Sequence, residues 1–433
     1  MSDTQHAAML TTAFESLLTN NYSHAIPPEP YITPTGIRHL DAIMGGGFSS
    51  SLPSMISAVP ESGKSTMALS FASQFLRQDS ESLCAYIDTE GSGSGGKGSL
   101  MNDRLEVFGI DQSRFIVKSV MLNVPDLFKL FGELIKLKRT VEEKVEHEIK
   151  LLIILDSLAS VPSSKEIEAD SPNAVIGLKA RELTHHLSGL KVELAMSKVT
   201  MLIIDQVRAS IAITNQYQAQ PEKSVGSWSD FKAATNVNSL AHNLKSWIYL
   251  SKGKNMLPSE PLGVDGHILN VLVEKSKLAP SGSSVAIVFD KKFGVIPVLS
   301  EYLFLLEMTK TEKKLTKNVV GKLTYPLAIS TSGKSKIISV IDPDTGEILK
   351  QSQKFTERKF MENYNSDPEF KQIFDEALAA SIEGRIFRGI FRTITTNADG
   401  ETQVNYDDDS TDDLVDDETN ATVGVDGELT ASL

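Results

Sequence analysis

Nine consecutive residues constrain this chain more than any other feature: Ala58-Val59-Pro60-Glu61-Ser62-Gly63-Lys64-Ser65-Thr66. They follow an apolar run at 54–59 that reads as a strand and open a helical stretch at 65–76. A glycine-bearing loop between strand and helix is the context a phosphate-binding loop requires, because loop and helix N–H groups converge on a phosphate. In that arrangement Lys64 reaches the β- and γ-phosphates of a nucleotide and Ser65 ligates Mg2+. Pro60, Glu61, Ser62, Gly63 and Thr66 complete the cradle. The position usually held by the motif's first glycine is Ala58, a change of one methyl.

Two further strands end in acid. Leu151-Leu152-Ile153-Ile154-Leu155-Asp156-Ser157 places Asp156 at a strand's C-terminal edge, where ligands bind in open α/β sheets and where a carboxylate can hold Mg2+ through water. Tyr86-Ile87-Asp88-Thr89-Glu90 offers Glu90 to accept a proton from an attacking water, or to orient it. Asp88 and Glu61 are reserve candidates, and a surface salt bridge is the competing use of Glu90.

From about 31 to 300, short apolar runs at 54–59, 83–88, 115–120, 151–156, 200–205, 246–250, 269–274 and 285–289 alternate with helical stretches such as 65–76, 125–138 and 174–196. That pattern predicts a mostly parallel sheet covered on both faces. Residues 1–30 read as a short amphipathic arm (Ala8, Leu10, Phe14, Leu17, Leu18) and a proline linker, packed on its own domain or on a neighbouring subunit. Residues 301–396 read as a small α+β region, with a hairpin whose turn is Asp342-Pro343-Asp344-Thr345-Gly346. Residues 397–433 form an acidic tail expected to be disordered.

The 433 residues carry a net charge of −13, which at first sight disfavours a nucleic-acid partner. The tail changes that reading: its 12 carboxylates, unaccompanied by Lys or Arg, account for all but one of the net charges. A near-neutral body can carry a basic groove, and the tail can compete with phosphates for it. The lone Cys84 excludes an intramolecular disulfide, and no run is long and apolar enough for a membrane span or a secretion signal. An intracellular, cytoplasmic protein with no membrane partner is the expectation.

Taken in order, the phosphate loop, Glu90, Asp156-Ser157-Leu158, the strand running into Gln206-Val207-Arg208, and Val273-Glu274-Lys275-Ser276-Lys277 resemble the RecA family of recombinases over about 33–294. The late segments 337–347 and 355–382 resemble the C-terminal part of phage-type RecA homologues. The resemblance implies an α/β, RecA-like ATPase core that binds ATP and Mg2+ and forms helical filaments on single-stranded DNA. The implied activity is strand exchange with double-stranded DNA for recombination, repair and recombination-dependent replication, alongside a mediator and a single-strand-binding protein. It assigns catalysis to Glu90 and Lys64, γ-phosphate sensing to Gln206, and completion of a neighbour's site to Lys275 and Lys277. Read without the resemblance, a Lys-x-Lys at a strand end is a solvated edge. Ile176 and Arg181 match residues that contact DNA. Departures are the Gly/Ser-rich 91–98, Arg104 where the family often stacks a tyrosine on adenine, and Asp205 in place of the more usual Asn.

Two stretches are candidate DNA loops. Residues 165–176 are acidic themselves (Glu166, Glu168, Asp170) and lead into a helix bearing Lys179 and Arg181. Residues 209–238 lack periodicity; with Arg208 they interleave Lys223 and Lys232 with Tyr217, Trp228 and Phe231, as single-strand binding requires. A hexameric helicase of the same superfamily and a non-hydrolysing single-strand coat protein are the alternatives.

Overall fold

The computed structural model describes residues 25–91, 100–168, 178–207, 241–318 and 325–388, with 11–12, 15–16, 19, 393–396 and 402–405. The five apolar residues of the expected arm lie outside these.

A two-strand pair, β1 (Ile32–Thr33) and β2 (Phe48–Ser49), precedes one nine-stranded sheet. Its members are β3 (Ser54–Ala58), β4 (Leu83–Asp88), β5 (Phe115–Ser119), β6 (Leu151–Asp156), β7 (Val199–Gln206), β8 (Ser246–Met256), β9 (Gly266–Ser276), β10 (Ser284–Asp290) and β11 (Gly294–Val295). In space the order is β5-β4-β6-β7-β3-β8-β9-β10-β11. Strands β5 to β8 in that order run parallel, while β9, β10 and β11 each run antiparallel to their inner neighbour. All eight expected strands form, and the mostly parallel sheet is as expected.

Alternation across the sheet separates two cores, because successive side chains of a strand face opposite ways. Leu152 and Ile154 of β6 face α1 (Arg38–Met44) and α2 (Lys64–Gln78), with Phe71, Phe75 and Leu76. Ile153 and Leu155 face the other core, which holds Phe128 and Phe131 of α4 and Leu187 and Leu194 of α6. In chain order the other core helices are α3 (Leu100–Val107), α4 (Val124–Val145), α5 (Ser164–Glu168) and α6 (Leu178–Met196). Helix α4 starts where Asn123 Oδ1 accepts from the Asp126 N–H at 2.9 Å, with Pro125 in its first turn.

Beyond the sheet come α7 (Pro297–Leu306), α8 (Lys310–Asn318), strands β12 (Ile329–Ser332), β13 (Ser335–Ile341), β14 (Ile348–Gln351) and β15 (Phe355–Thr356), then α9 (Phe360–Ser366) and α10 (Pro368–Ile382). The expected hairpin is β13–β14: Asp342 Oδ1 accepts from the N–H groups of Asp344 and Thr345, both at 2.8 Å, and Gly346 turns the chain at φ 73°. The expected boundary at 300/301 falls inside α7, and Phe360, Phe370 and Phe374 join the same apolar cluster as Phe71. The C-terminal region therefore shares a core with the sheet. A last pair, β16 (Thr393–Thr396) and β17 (Thr402–Asn405), is antiparallel, so the expected tail boundary at 397 falls within it; residues 406–433 lie outside the described residues.

A buried ion pair ties the chain after α10 to α8 within the C-terminal region. Arg385 Nε and Nη2 donate to Glu312 Oε1 and Oε2 at 2.6 and 2.8 Å, and Nη2 donates to the Glu307 carbonyl at 2.8 Å. The two side chains are 1% and 4% exposed, and the guanidinium lies 4.1 Å from the Phe304 ring centroid. Breaking one half of a buried pair strands a charge and costs about 3–5 kcal/mol. Glu312→Ala should lower stability by that much in denaturant titration, whereas Glu312→Leu with Arg385→Met should recover most of it.

Candidate nucleotide site

The phosphate loop closes on itself. Gly63 has φ 85°, and a Cβ there would lie 2.9 Å from the Phe289 ring, so both backbone and space call for glycine. Ala58 is different: it ends β3 fully buried and has no positive φ, so its methyl is accommodated in the core. Lys64 is 7% exposed and curls back, its Nζ donating to the Val59 carbonyl at 3.0 Å and the Ala58 carbonyl at 3.3 Å. Burial pulls its pKa down, and Asp156, Glu90 and Asp205 oppose that shift. A nucleotide's phosphate oxygens are stronger partners for an ammonium than these carbonyls.

Asp156 lies at the C-terminal end of β6, one strand from β7, which borders β3. Its Oδ2 accepts from the Tyr86 hydroxyl, and the Ser65 hydroxyl is bonded to the same carboxylate. Burial raises its pKa against those two bonds. An oxygen pair of this kind suits Mg2+, which takes one or two protein ligands and completes its shell with phosphate and water. Ser65 and Asp156 thus fit the ion that the loop implies.

Glu90 is exposed, and one of its oxygens is heavily engaged: Oε1 accepts from Ser157 Oγ at 2.6 Å, from Gln206 Nε2 at 2.7 Å and from Ser160 Oγ at 3.4 Å. Gln206 closes β7, so the residues expected to act on water and to sense phosphate touch. Asp88 is scaffold: Oδ1 accepts from the N–H groups of Glu90 and Gly91, and Oδ2 from Ser119 Oγ at 2.7 Å. Glu61 stands exposed on the loop at φ 59°. Thr89 and Ser157 lock the two strand ends, Thr89 Oγ1 donating to the Ser157 carbonyl at 2.7 Å and accepting from its N–H at 2.9 Å. Ser157, Ser160 and the Tyr86 hydroxyl were not singled out from sequence. The adjacency of Ser157 to Asp156 was the available signal.

Lys275 and Lys277 are not at this site. Met55 pairs with Trp247 and Trp247 with Lys275, which puts them at the start of β3, whereas Lys64 follows its end. Strand rise alone separates the two edges by roughly 10 Å. Lys275 Nζ donates to the Ala241 carbonyl, and the Lys277 N–H donates to the Lys245 carbonyl at 2.9 Å. Lys245, missed from sequence, joins them; burial and the Lys277 charge lower the pKa of both Lys245 and Lys275.

Arg104 is exposed on α3. A second exposed group near the loop is Phe293, 54% exposed, whose neighbour Gly294 would place a Cβ 3.0 Å from Thr66. Of the DNA candidates, Arg181 is exposed on α6, and Lys179 Nζ donates to the Ala159 carbonyl at 3.1 Å. Glu166 caps its own helix, its N–H bonded to Ser163 Oγ at 3.2 Å and its Oε2 accepting from the Ser163 N–H at 2.7 Å. Ile176, Arg208, Tyr217, Lys223, Trp228, Phe231 and Lys232 lie outside the described residues, as does the expected insertion apart from Gly91.

The fold is RecA-like, α/β with a mostly parallel central sheet, and residues 29–238 match the RecA N-terminal domain family. The chain is 25% identical over 246 residues to Protein RecA of Nostoc sp., which is 57% of this chain and 59% of that one. It is 26% identical over 264 residues to Protein RecA of Desulforapulum autotrophicum, covering 61% and 65% of the two chains. Against Protein RecA of Nocardioides sp. the figures are 27% over 255 residues, 58% and 61%. The chain thus spans about three fifths of these relatives' length, and the likeness supports a relationship to RecA recombinases. Among the described residues no helix is long and apolar enough to cross a membrane.

Glu274, beside the lysines, sits where the β8–β9 register shifts; it is 5% exposed and its Oε1 has no hydrogen-bond partner among the described residues. Burial pushes its pKa up to about 7. A folded pKa above the unfolded value means the native state favours the proton, so stability falls as pH rises from about 4.5 through 7. Glu274→Gln should flatten that slope: melting curves should show the variant more stable than wild type at pH 8 and equal near pH 4.

Proposed function

We propose that the chain is a DNA-dependent ATPase that drives DNA strand exchange as a helical filament on single-stranded DNA. The observation that carries this reading is the meeting of Lys64, Ser65, Asp156, Glu90 and Gln206 at one sheet edge, with Glu90 and Gln206 in direct contact. ATP would lie with its phosphates on the loop and Lys64 against the β- and γ-phosphates. Mg2+, held by Ser65 and water on Asp156, would neutralise developing phosphate charge. Glu90 accepts the proton of the attacking water or orients it. Gln206 now spends its amide on Glu90; a γ-phosphate oxygen would compete for that amide and loosen Glu90. Phe293 is placed to stack on the base, a role expected of Arg104's position.

Lys275 and Lys277, at the far edge, serve a neighbouring subunit's phosphates. Residues 209–238 with Arg208, Tyr217, Lys223, Trp228, Phe231 and Lys232, and the α6 approach with Ile176 and Arg181, form the DNA face. Double-stranded DNA, a mediator and a single-strand-binding protein are the further partners, and the cytoplasm is the place of action. The same edge-to-edge contact would also serve a hexameric helicase ring, which electron microscopy separates from a filament. ATP turnover with and without single-stranded DNA tests the core reading; a coat protein would show no turnover in either.

Two outcomes are expected. Glu90→Gln should cut turnover by about 10²-fold or more and leave ATP affinity nearly intact, as loss of a positioned base does; wild-type turnover would shift the role to Glu61. Lys64→Ala mixed with Lys275→Ala/Lys277→Ala should regain activity at mixed interfaces. Absence of recovery across mixing ratios, with co-assembly demonstrated, would refute a shared site.

A further inference from the structure

We propose that Tyr86 is a positioning residue for the metal–nucleotide complex, holding Asp156 through its hydroxyl; this rests on the Mg2+–ATP reading of the site. Tyr86 lies in the middle of β4, 1% exposed, with its ring centroid 5.8 Å from that of Phe115. A phenol hydroxyl at that depth costs free energy unless it is bonded, and a phenylalanine would fill the same space without the cost. Its acceptor is Asp156 Oδ2, itself on a residue only 8% exposed, on the strand next to β4. The hydroxyl's single proton therefore goes to one carboxylate, the one placed to hold the metal, while the Ser65 side chain also bonds to the hydroxyl.

The consequence follows from how carboxylates hold a hard cation. With Oδ2 tied to a ring that packing immobilises, Asp156 cannot turn about its Cβ–Cγ bond, and its remaining lone pairs keep one heading. Ser65 bonds to the same carboxylate, but its oxygen is the one that would be given to the metal. The Tyr86 bond is then the side-chain contact that stays. Groups that orient a ligand in this way are worth about 10- to 100-fold in metal affinity when removed.

The test uses the full-length chain and a fluorescent ATP analogue titrated with Mg2+. Wild type should need Mg2+ for tight binding; if it does not, the Mg2+–nucleotide reading itself fails, whatever Tyr86 does. Tyr86→Phe should raise the half-saturating Mg2+ concentration by about 10-fold or more, while analogue affinity in excess EDTA stays at the wild-type value. Phe115→Leu, which trims the neighbouring ring but keeps the hydroxyl, should move the Mg2+ midpoint much less than Tyr86→Phe does. In an Asp156→Asn background, Tyr86→Phe should add little further shift, since the hydroxyl's proton goes to that carboxylate. An unchanged midpoint in a normally folded Tyr86→Phe would overturn the proposal. So would an equal shift in Phe115→Leu, or full additivity with Asp156→Asn. Melting curves for each variant separate these outcomes from loss of fold.

Discussion

The carbonyl of Ala58 accepts two bonds, from Lys64 Nζ at 3.3 Å and from the Val207 N–H at 3.0 Å, and most of the site's geometry depends on that junction. The first bond folds the phosphate loop over its own lysine. The second ties the end of β3 to the residue after Gln206. A loop conformation that only Gly63 can adopt, with Phe289 against it, keeps the junction in place. A phosphate that drew Lys64 off the carbonyl would leave the Val207 bond intact. The loop can therefore respond to a ligand while Gln206 stays anchored beside it.

Electrostatics at this edge are balanced locally. Lys64 is buried enough for its pKa to fall, and three carboxylates, Asp156, Glu90 and Asp205, work against that fall. Carboxylates crowd one another here too: beyond burial, Glu90 and Asp88 both push the Asp156 pKa up. A divalent cation and a polyphosphate entering together add compensating charges to both sides of this arrangement, which neither could do alone. The opposite edge has no such balance among its lysines, since Lys277 depresses the pKa of both Lys245 and Lys275. An anion arriving there meets three cations whose repulsion it relieves.

Much of the core was legible because its signals are local. Continuous apolar runs such as 151–155 mark strands buried on both faces, and the nine-residue loop carries its own chemistry in order. Of the antiparallel strands, β9 and β10 were legible as strands but not as a reversal, since direction is decided by pairing partners that no window contains, and the two-residue β11 is too short to leave a pattern. The Tyr86–Asp156 bond spans 70 residues and the Gln206–Glu90 bond 116, beyond the reach of any periodicity. Nothing local marks Lys245, whose carbonyl accepts from the Lys277 N–H. The boundary at 300/301 failed for a different reason. Composition shifts there, but the apolar cluster runs through α7 without a break.

The placement of the two charged edges restricts how copies of the chain can combine. A two-fold contact is self-complementary, so a lysine edge that met its partner's phosphate edge would have its own phosphate edge met in return, and the pair would be closed to a third copy. If instead the lysines of one subunit serve the nucleotide of the next, and the lysines of that one serve a third, the contact is head-to-tail. Such a contact repeats: every subunit that gives its Lys275 and Lys277 still has an open phosphate loop for the following one. The repeat closes into a ring when the rotation per step divides a full turn, and otherwise propagates as a helix. In either assembly, occupancy of a phosphate loop and the strength of an interface become one quantity. Under that reading, an end subunit, lacking a neighbour's lysines, would be left with an incomplete site.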